Sequence, residues 1–226
     1  MKRYFTCLLI VILITVPSAF AKAYDVKYYT YEEGGNRKLT EKHSVQIKEV
    51  DSHNVQVDRF IETDQWQETE QFVMDENFET VKLSLRVPEN HTDYEAIQKD
   101  NKIILKGIWR GQNLDKTIEL DDRPFYFALQ YNLQKFAISD EKELKFWTIR
   151  RDTMTKYLME AERQGEDRIT VNNEQIDVIA VRFSATGIGA KFYKGTCYYR
   201  KSDGLLVRKT TMNQLKYFTA DLVGEN

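Results

Sequence analysis

Apolar and polar residues alternate along most of this chain. Val81-Lys82-Leu83-Ser84-Leu85-Arg86-Val87 alternates without a break, the mark of a strand with one buried face. Val55, Val57 and Arg59 alternate with Gln56, Asp58 and Phe60 in the same way. The runs Lys102 to Trp109, Leu144 to Arg150, Ile176 to Phe183, Lys191 to Arg200 and Leu205 to Met212 are rich in β-branched and aromatic residues. Such side chains suit a pleated surface. Turn residues separate the runs. Ser202-Asp203-Gly204 predicts a tight hairpin, because Asp-Gly accepts positive φ angles. Gly34-Gly35-Asn36, Asp51 to Asn54, Asp75 to Asn77, Gly111 to Asn113 and Val171 to Glu174 predict further turns. Turns this frequent leave little room for crossover helices and imply an antiparallel meander.

One segment has a different period. After Asp121-Asp122-Arg123-Pro124, the residues Phe125, Leu129, Leu133 and Phe136 recur at helical spacing. Acidic residues before an early proline make a helix start, so a helix is expected over about 124–138, ended by Ser139-Asp140. It carries too much apolar surface to face water and must pack against the sheet. Asp93 to Asp100 is read as a short polar turn of helix or an irregular loop. A long antiparallel sheet with one greasy helix can hide its apolar face by curling around that helix. The expected fold is mainly β: a curved antiparallel meander, or half-open barrel, packed around one apolar helix.

The first residues tell a separate story. Lys2 and Arg3 precede an apolar run from Cys7 to Val16, then Pro17-Ser18 and Ala19-Phe20-Ala21. Charge, grease and an A-x-A site in that order form a secretory signal peptide. About ten apolar residues are too few to span a bilayer, which needs roughly 20. Cleavage is expected after residue 21, leaving one β-rich domain over 22–226, soluble and periplasmic. Without Lys2 and Arg3, 31 of the 33 basic residues stand against 35 acidic ones, a net charge near −4. The charges are interspersed, with no basic stripe for nucleic acid and no polybasic tail for lipid. Only Cys197 remains beyond the leader, so no internal disulfide staples the fold and a core must stabilise it. Cys197 lies in a strand-like run and reads as a small buried hydrophobe.

Candidate chemistry is sparse. His43, His53 and His91 lie in hydrophilic surroundings without the spacing of a metal-ligand set. There is no nucleophile elbow, phosphate-cradling loop or paired-cysteine motif. No metal or cofactor is expected. Asp121-Asp122 and Glu32-Glu33 are adjacent acids, and adjacent acids on a strand point to opposite faces. A hydrolase built on unrecognised carboxylates is the weakest of the readings. Asn90-His91-Thr92 matches a glycosylation acceptor, which matters only in a eukaryotic secretory route. The one surplus is aromatic: 12% of residues are Phe, Trp or Tyr. Most build the core, but a curled sheet can also leave an aromatic-lined cavity beside its helix.

The order of parts resembles a group of uncharacterised bacterial periplasmic proteins, similar in architecture to the Lol-type lipoprotein carriers. The likeness lies in the stretch Thr117-Ile118-Glu119-Leu120-Asp121-Asp122 leading into the apolar helix, and in the late run from Cys197 to Lys209 with its Asp203 turn. It covers roughly residues 100 to 212. Val171-Asn172-Asn173-Glu174-Gln175 departs from the glycine-and-proline loop of that group. The resemblance implies a half-open barrel closed by a helix and carriage of a lipid or other apolar molecule, without catalytic residues. It also implies an arginine buried in the cavity. Arg59, Arg86 and Arg182 are the candidates, with Arg182, in an otherwise apolar strand, foremost. The expected ligand-binding residues are therefore Phe125, Leu129, Leu133, Phe136, Trp109, Trp147 and Arg182. The alternative is an envelope structural or interaction protein with a filled core and no ligand.

Overall fold

The computed structural model describes residues 24–34, 37–214 and 216–225. The predicted leader, and Gly35 and Asn36 of the predicted first turn, lie outside them. Among the described residues, fourteen antiparallel strands form a single sheet with one α-helix. The first eight are β1 (Tyr24–Glu33), β2 (Lys38–Glu49), β3 (Val55–Glu62), β4 (Gln67–Met74), β5 (Thr80–Val87), β6 (Thr92–Lys99), β7 (Lys102–Trp109) and β8 (Gln112–Glu119). After the helix α1 (Leu129–Ile138) come β9 (Glu143–Arg150), β10 (Thr155–Val171), β11 (Glu174–Ala185), β12 (Tyr193–Arg200), β13 (Leu206–Asn213) and β14 (Lys216–Glu225). Each strand pairs with its chain neighbours, except that β8 and β9 do not pair and β1 pairs with β14. The first and last strands thus meet in the middle of the sheet, and the strands on either side of the helix, β8 and β9, form its edges.

Strand alternation puts the apolar residues inside. Val57, Phe72, Leu83, Ile103 and Leu105 from the first eight strands are fully buried. Phe146, Met159, Val181 and Tyr199 from the last six are buried equally. Burying each such side chain is worth about 1.5–3 kcal/mol, so this row supplies much of the stability. The turns follow their residue chemistry. Asn172 and Asn173 both take positive φ, +50° and +67°, in a two-residue hairpin. The Asp203 turn is longer than an Asp-Gly pair needs, spanning 201–205. Asp203 accepts from Arg200 Nε at 2.9 Å and from the Leu205 N–H at 3.1 Å, while Gly204 takes φ +73°.

The segment Asp93 to Asp100 is strand β6, not a helical turn or loop. Thr92, Tyr94 and Ala96 point inward while Asp93, Glu95 and Ile97 point out. Its neighbour bends to receive it: a Cβ on Gly107 (φ +136°) would lie 2.4 Å from the Asp93 carbonyl oxygen. Only glycine fits opposite that point.

The helix is shorter than expected, starting at Leu129 rather than Pro124. Phe125 is drawn into the sheet edge as an isolated bridge to Trp147. The Trp147 N–H donates to the Pro124 carbonyl and the Tyr126 N–H to the Trp147 carbonyl, each at 2.8 Å. Asp121 and Asp122 do not cap the helix. Asp121 accepts from Trp147 Nε1 at 2.8 Å, and Asp122 from Asn101 Nδ2 at 3.2 Å. Fully buried Asn132 does the capping instead. Its Oδ1 accepts the Ala128 N–H at 2.9 Å, and its Nδ2 donates to the Phe78 carbonyl and to Thr80 Oγ1. That clamp pins the helix start to β5. Leu129, Leu133 and Phe136 then pack into the concave face, against β11, β12 and β13.

The β7–β8 hairpin and the β9–β10 hairpin are joined by side chains rather than by a ladder. Trp109 Nε1 donates to the Arg151 carbonyl, Lys116 Nζ to that of Met154 and Lys156 Nζ to that of Glu119. The result is a barrel-like sheet, filled at one end by α1 and open at the other.

Candidate functional site

The open end is polar, on strands that are apolar lower down. In β3 the inward residues are Val55, Val57, Arg59 and Ile61, and in β4 they are Glu68, Glu70, Phe72 and Met74. Arg59 reaches Glu70 and packs 5.6 Å from the centre of the Phe72 ring. Arg151, from the turn between β9 and β10, crosses the mouth to meet both acids. Its Nη1 lies 3.2 Å from Glu70 Oε1, and its Nη2 pairs with Glu68. This ion cluster ties the two walls of the barrel together.

Burial drives the proton affinities here. Glu70 is wholly enclosed, and desolvation pushes its carboxyl up to about 7 in spite of Arg59 and Arg151; ionised Glu68 adds to the rise. Burial also works to raise Glu68, but Arg151 outweighs it and holds that carboxyl below its usual range. Glu68 Oε1 finds no donor while Glu70 is ionised; a proton on Glu70 can be shared with it. The Tyr94 hydroxyl is a second buried group without a partner. On the other wall, Lys209 is desolvated, which lowers its pKa, and its Nζ donates to Gln130 Oε1 at 3.1 Å. Burial lowers His43 as well; its Nε2 lies 2.9 Å from Glu41 and 3.1 Å from Thr30 Oγ1. Cys197 is enclosed and its thiol is raised by burial, the opposite of what a nucleophile needs.

Two half-open cavities meet at this cluster. One, of about 460 Å³, is walled by Trp66, Leu85, Tyr94, Trp109 and Met154 together with the charged Glu89, Arg110 and Asp152, among others. The other, of about 370 Å³, is walled by Thr30, His43, Arg59, Tyr131, Lys209 and Thr211, among others. Trp66, Glu68 and Arg151 line both. Both volumes fall in the range of small-molecule sites. Among the described residues, no three His, Cys, Asp or Glu side chains are grouped to hold a metal ion.

The expected ligand-binding residues separate. Phe125, Leu129, Leu133 and Phe136 are packed in the interior, at most 5% exposed, and line neither cavity. Trp147 lies at the edge seam, its indole N–H on Asp121. Of the seven, Trp109 lines one of these two cavities. Arg182 is a correction. It points outward from β11 to Glu162, with a side chain 58% exposed, because its neighbours Val181 and Phe183 take the inward positions. Arg86 is also exposed, and the enclosed arginine is Arg59. Glu68, Glu70, Arg151, Lys209 and Tyr94 escaped the sequence reading. A signal existed for three of them: Glu68 and Glu70 share a strand face with Phe72 and Met74, and Tyr94 alternates with acids.

No protein-family model matches the chain, and no curated protein matches it by sequence. Its fold is that of a β-barrel-like protein of a domain of unknown function from Brucella abortus. That likeness has a TM-score of 0.63 at 10% identity and covers 90% of this chain and 97% of the other. The chain also aligns with the hypothetical lipoprotein YmcC from Escherichia coli (TM-score 0.36, 10% identity, 88% of this chain and 84% of the other). A third alignment is with MucB (TM-score 0.32, 10% identity, 92% of this chain and 54% of the other). These last two superpose too loosely to define a common shape. The class is thus a barrel-like antiparallel sheet around one helix.

Proposed function

We propose that this protein is an exported, periplasmic binding or carrier module that holds a small amphipathic molecule in the mouth of its barrel. The observation that carries the reading is the pair of adjoining cavities around Arg151, each lined by both aromatic and charged side chains, with the Tyr94 hydroxyl, unpartnered among the described residues, beside them. Apolar surface binds a hydrocarbon part, and fixed polar groups orient the rest. The leader-like N-terminus supports export, and among the described residues no helix is long and apolar enough to cross a membrane. The reading is one of binding without catalysis. The ligand lies above α1 rather than between α1 and the sheet, since Leu133 and Phe146 leave no exposed surface there. The same filled interior favours the second reading, an envelope structural or interaction protein acting through its outer surface.

Native mass spectrometry of protein purified without detergent, followed by uptake of a fluorescent fatty acid, tests the proposal. We expect a retained or absorbed molecule, and at least fivefold weaker uptake by Trp109→Ala. A chain that carries nothing and takes up nothing belongs to the second reading.

A further inference from the structure

Lys209 and Arg110 line the mouth without a carboxylate partner among the described residues, and of the two only Arg110 is exposed to solvent. Arg59 and Arg151 are matched by Glu68 and Glu70, and Glu41 by His43. Lys209 Nζ has only the Gln130 side-chain oxygen at 3.1 Å and the face of Phe183, 5.6 Å from the ring centre. Among the described residues it makes no ion pair. A half-buried ammonium held by one amide oxygen and a ring is under-satisfied, because neither replaces the hydration it has lost. The residue lines the smaller cavity, beside Thr30, Thr211 and Asn213. Its strand position places it in a row that runs Lys209, Ala220, Thr30 and Glu41 across β13, β14, β1 and β2. That row ends one strand from β3 and two from Glu68 on the wall shared with the larger cavity. The carboxylates facing Lys209 from neighbouring strands are Glu41 and Glu70.

We propose that Lys209 is the counter-ion for an acidic group, a carboxylate or phosphate, on the molecule held in the mouth, whose apolar part lies against Trp66 and Trp109. This rests on the mouth being a ligand site and names the ligand's polar end. The acid supplies the missing negative charge and replaces Gln130 as the principal acceptor.

Calorimetric titration of the chain in mildly acidic buffer, where decanoate is still ionised, provides the test. Decanoate, decanol and decylamine share a chain and differ in head charge; acetate carries the acid without the chain. We expect decanoate to bind at least tenfold tighter than decanol or decylamine, about 1.4 kcal/mol, and acetate to bind beyond detection at millimolar concentration. Lys209→Met should bring decanoate to the level of decanol and leave decanol unchanged. Lys209→Arg should keep the preference for the acid. Thermal melting checks that both variants fold; Lys209→Met, which removes a desolvated charge, should melt no lower than the wild type. Equal binding of decanoate and decanol, or a preference that survives Lys209→Met, overturns the assignment while the carrier reading stands. Acetate as tight as decanoate overturns the apolar contact with Trp66 and Trp109. Failure of all three decyl compounds overturns the carrier reading itself.

Discussion

The lower and upper halves of the barrel interior are built by the same strands and the same alternation, yet they hold opposite contents. Around α1 the inward residues are Val57, Phe72, Leu83 and Leu133, packed without exposed surface. Two residues along the same strands, the inward positions carry Arg59 and Glu70, and the far wall carries Lys209. Alternation decides which side of the sheet a residue faces. The distance from the helix decides whether that position is dry core or the floor of a cavity. The polar half is held open by ion pairs that span it, chiefly Arg151 to Glu68 and Glu70. A buried ion cluster of this kind repays its desolvation poorly compared with apolar packing. Its presence at the mouth, where packing would have closed the cavities, fits a site kept for binding.

The contrast can be broken most forcefully from below. Leu133→Ala opens a cavity in the filled half and should cost about 3 kcal/mol in urea unfolding. Decanoate binding at the mouth should persist in the fraction that stays folded. A loss below about 1 kcal/mol would mean that the helix is not the plug described here.

Glu70→Gln sharpens the comparison through pH. The folded carboxyl titrates near 7 and the unfolded one near 4.5. Between those values the folded state binds the extra proton, so Glu70 makes stability fall as pH rises through that window. The slope is at most about 1.4 kcal/mol per pH unit for one proton. His43, lowered by burial, works the other way below its ordinary value, so the difference between the wild-type and Glu70→Gln stability curves is the quantity to measure. That difference should change with pH between about 5 and 7; a constant offset would show that Glu70 stays ionised.

The smallest effect belongs to the outer surface. Arg182→Ala removes an exposed pair with Glu162 and should shift stability by about 0.5 kcal/mol or less. It should leave ligand uptake unchanged. A strong loss of uptake would return Arg182 to the cavity and reverse the assignment of Arg59.

Much of the architecture was legible in order of residues. The alternation at 81–87 became β5, the run 102–109 became β7 with the same bounds, and the curled meander with one apolar helix is the observed fold. Leu129, Leu133 and Phe136 were recognisable as a buried helical stripe because periodicity is a local property, whereas Phe125 was taken out of that stripe by its bridge to Trp147. What lay beyond reach depends on contacts between residues far apart in the chain. The helix starts at Leu129 because Trp147 captures Phe125 and Asn132 caps against β5. Arg59 is enclosed and Arg182 exposed because each takes the side its strand neighbours leave open. Arg151 meets Glu68 and Glu70 across more than eighty residues of chain. The sequence alone determined which residues could share a face. Only the pairing of β1 with β14, and the curl that brings β9 back toward β8, decided which of those faces meet above the helix and leave room for a ligand.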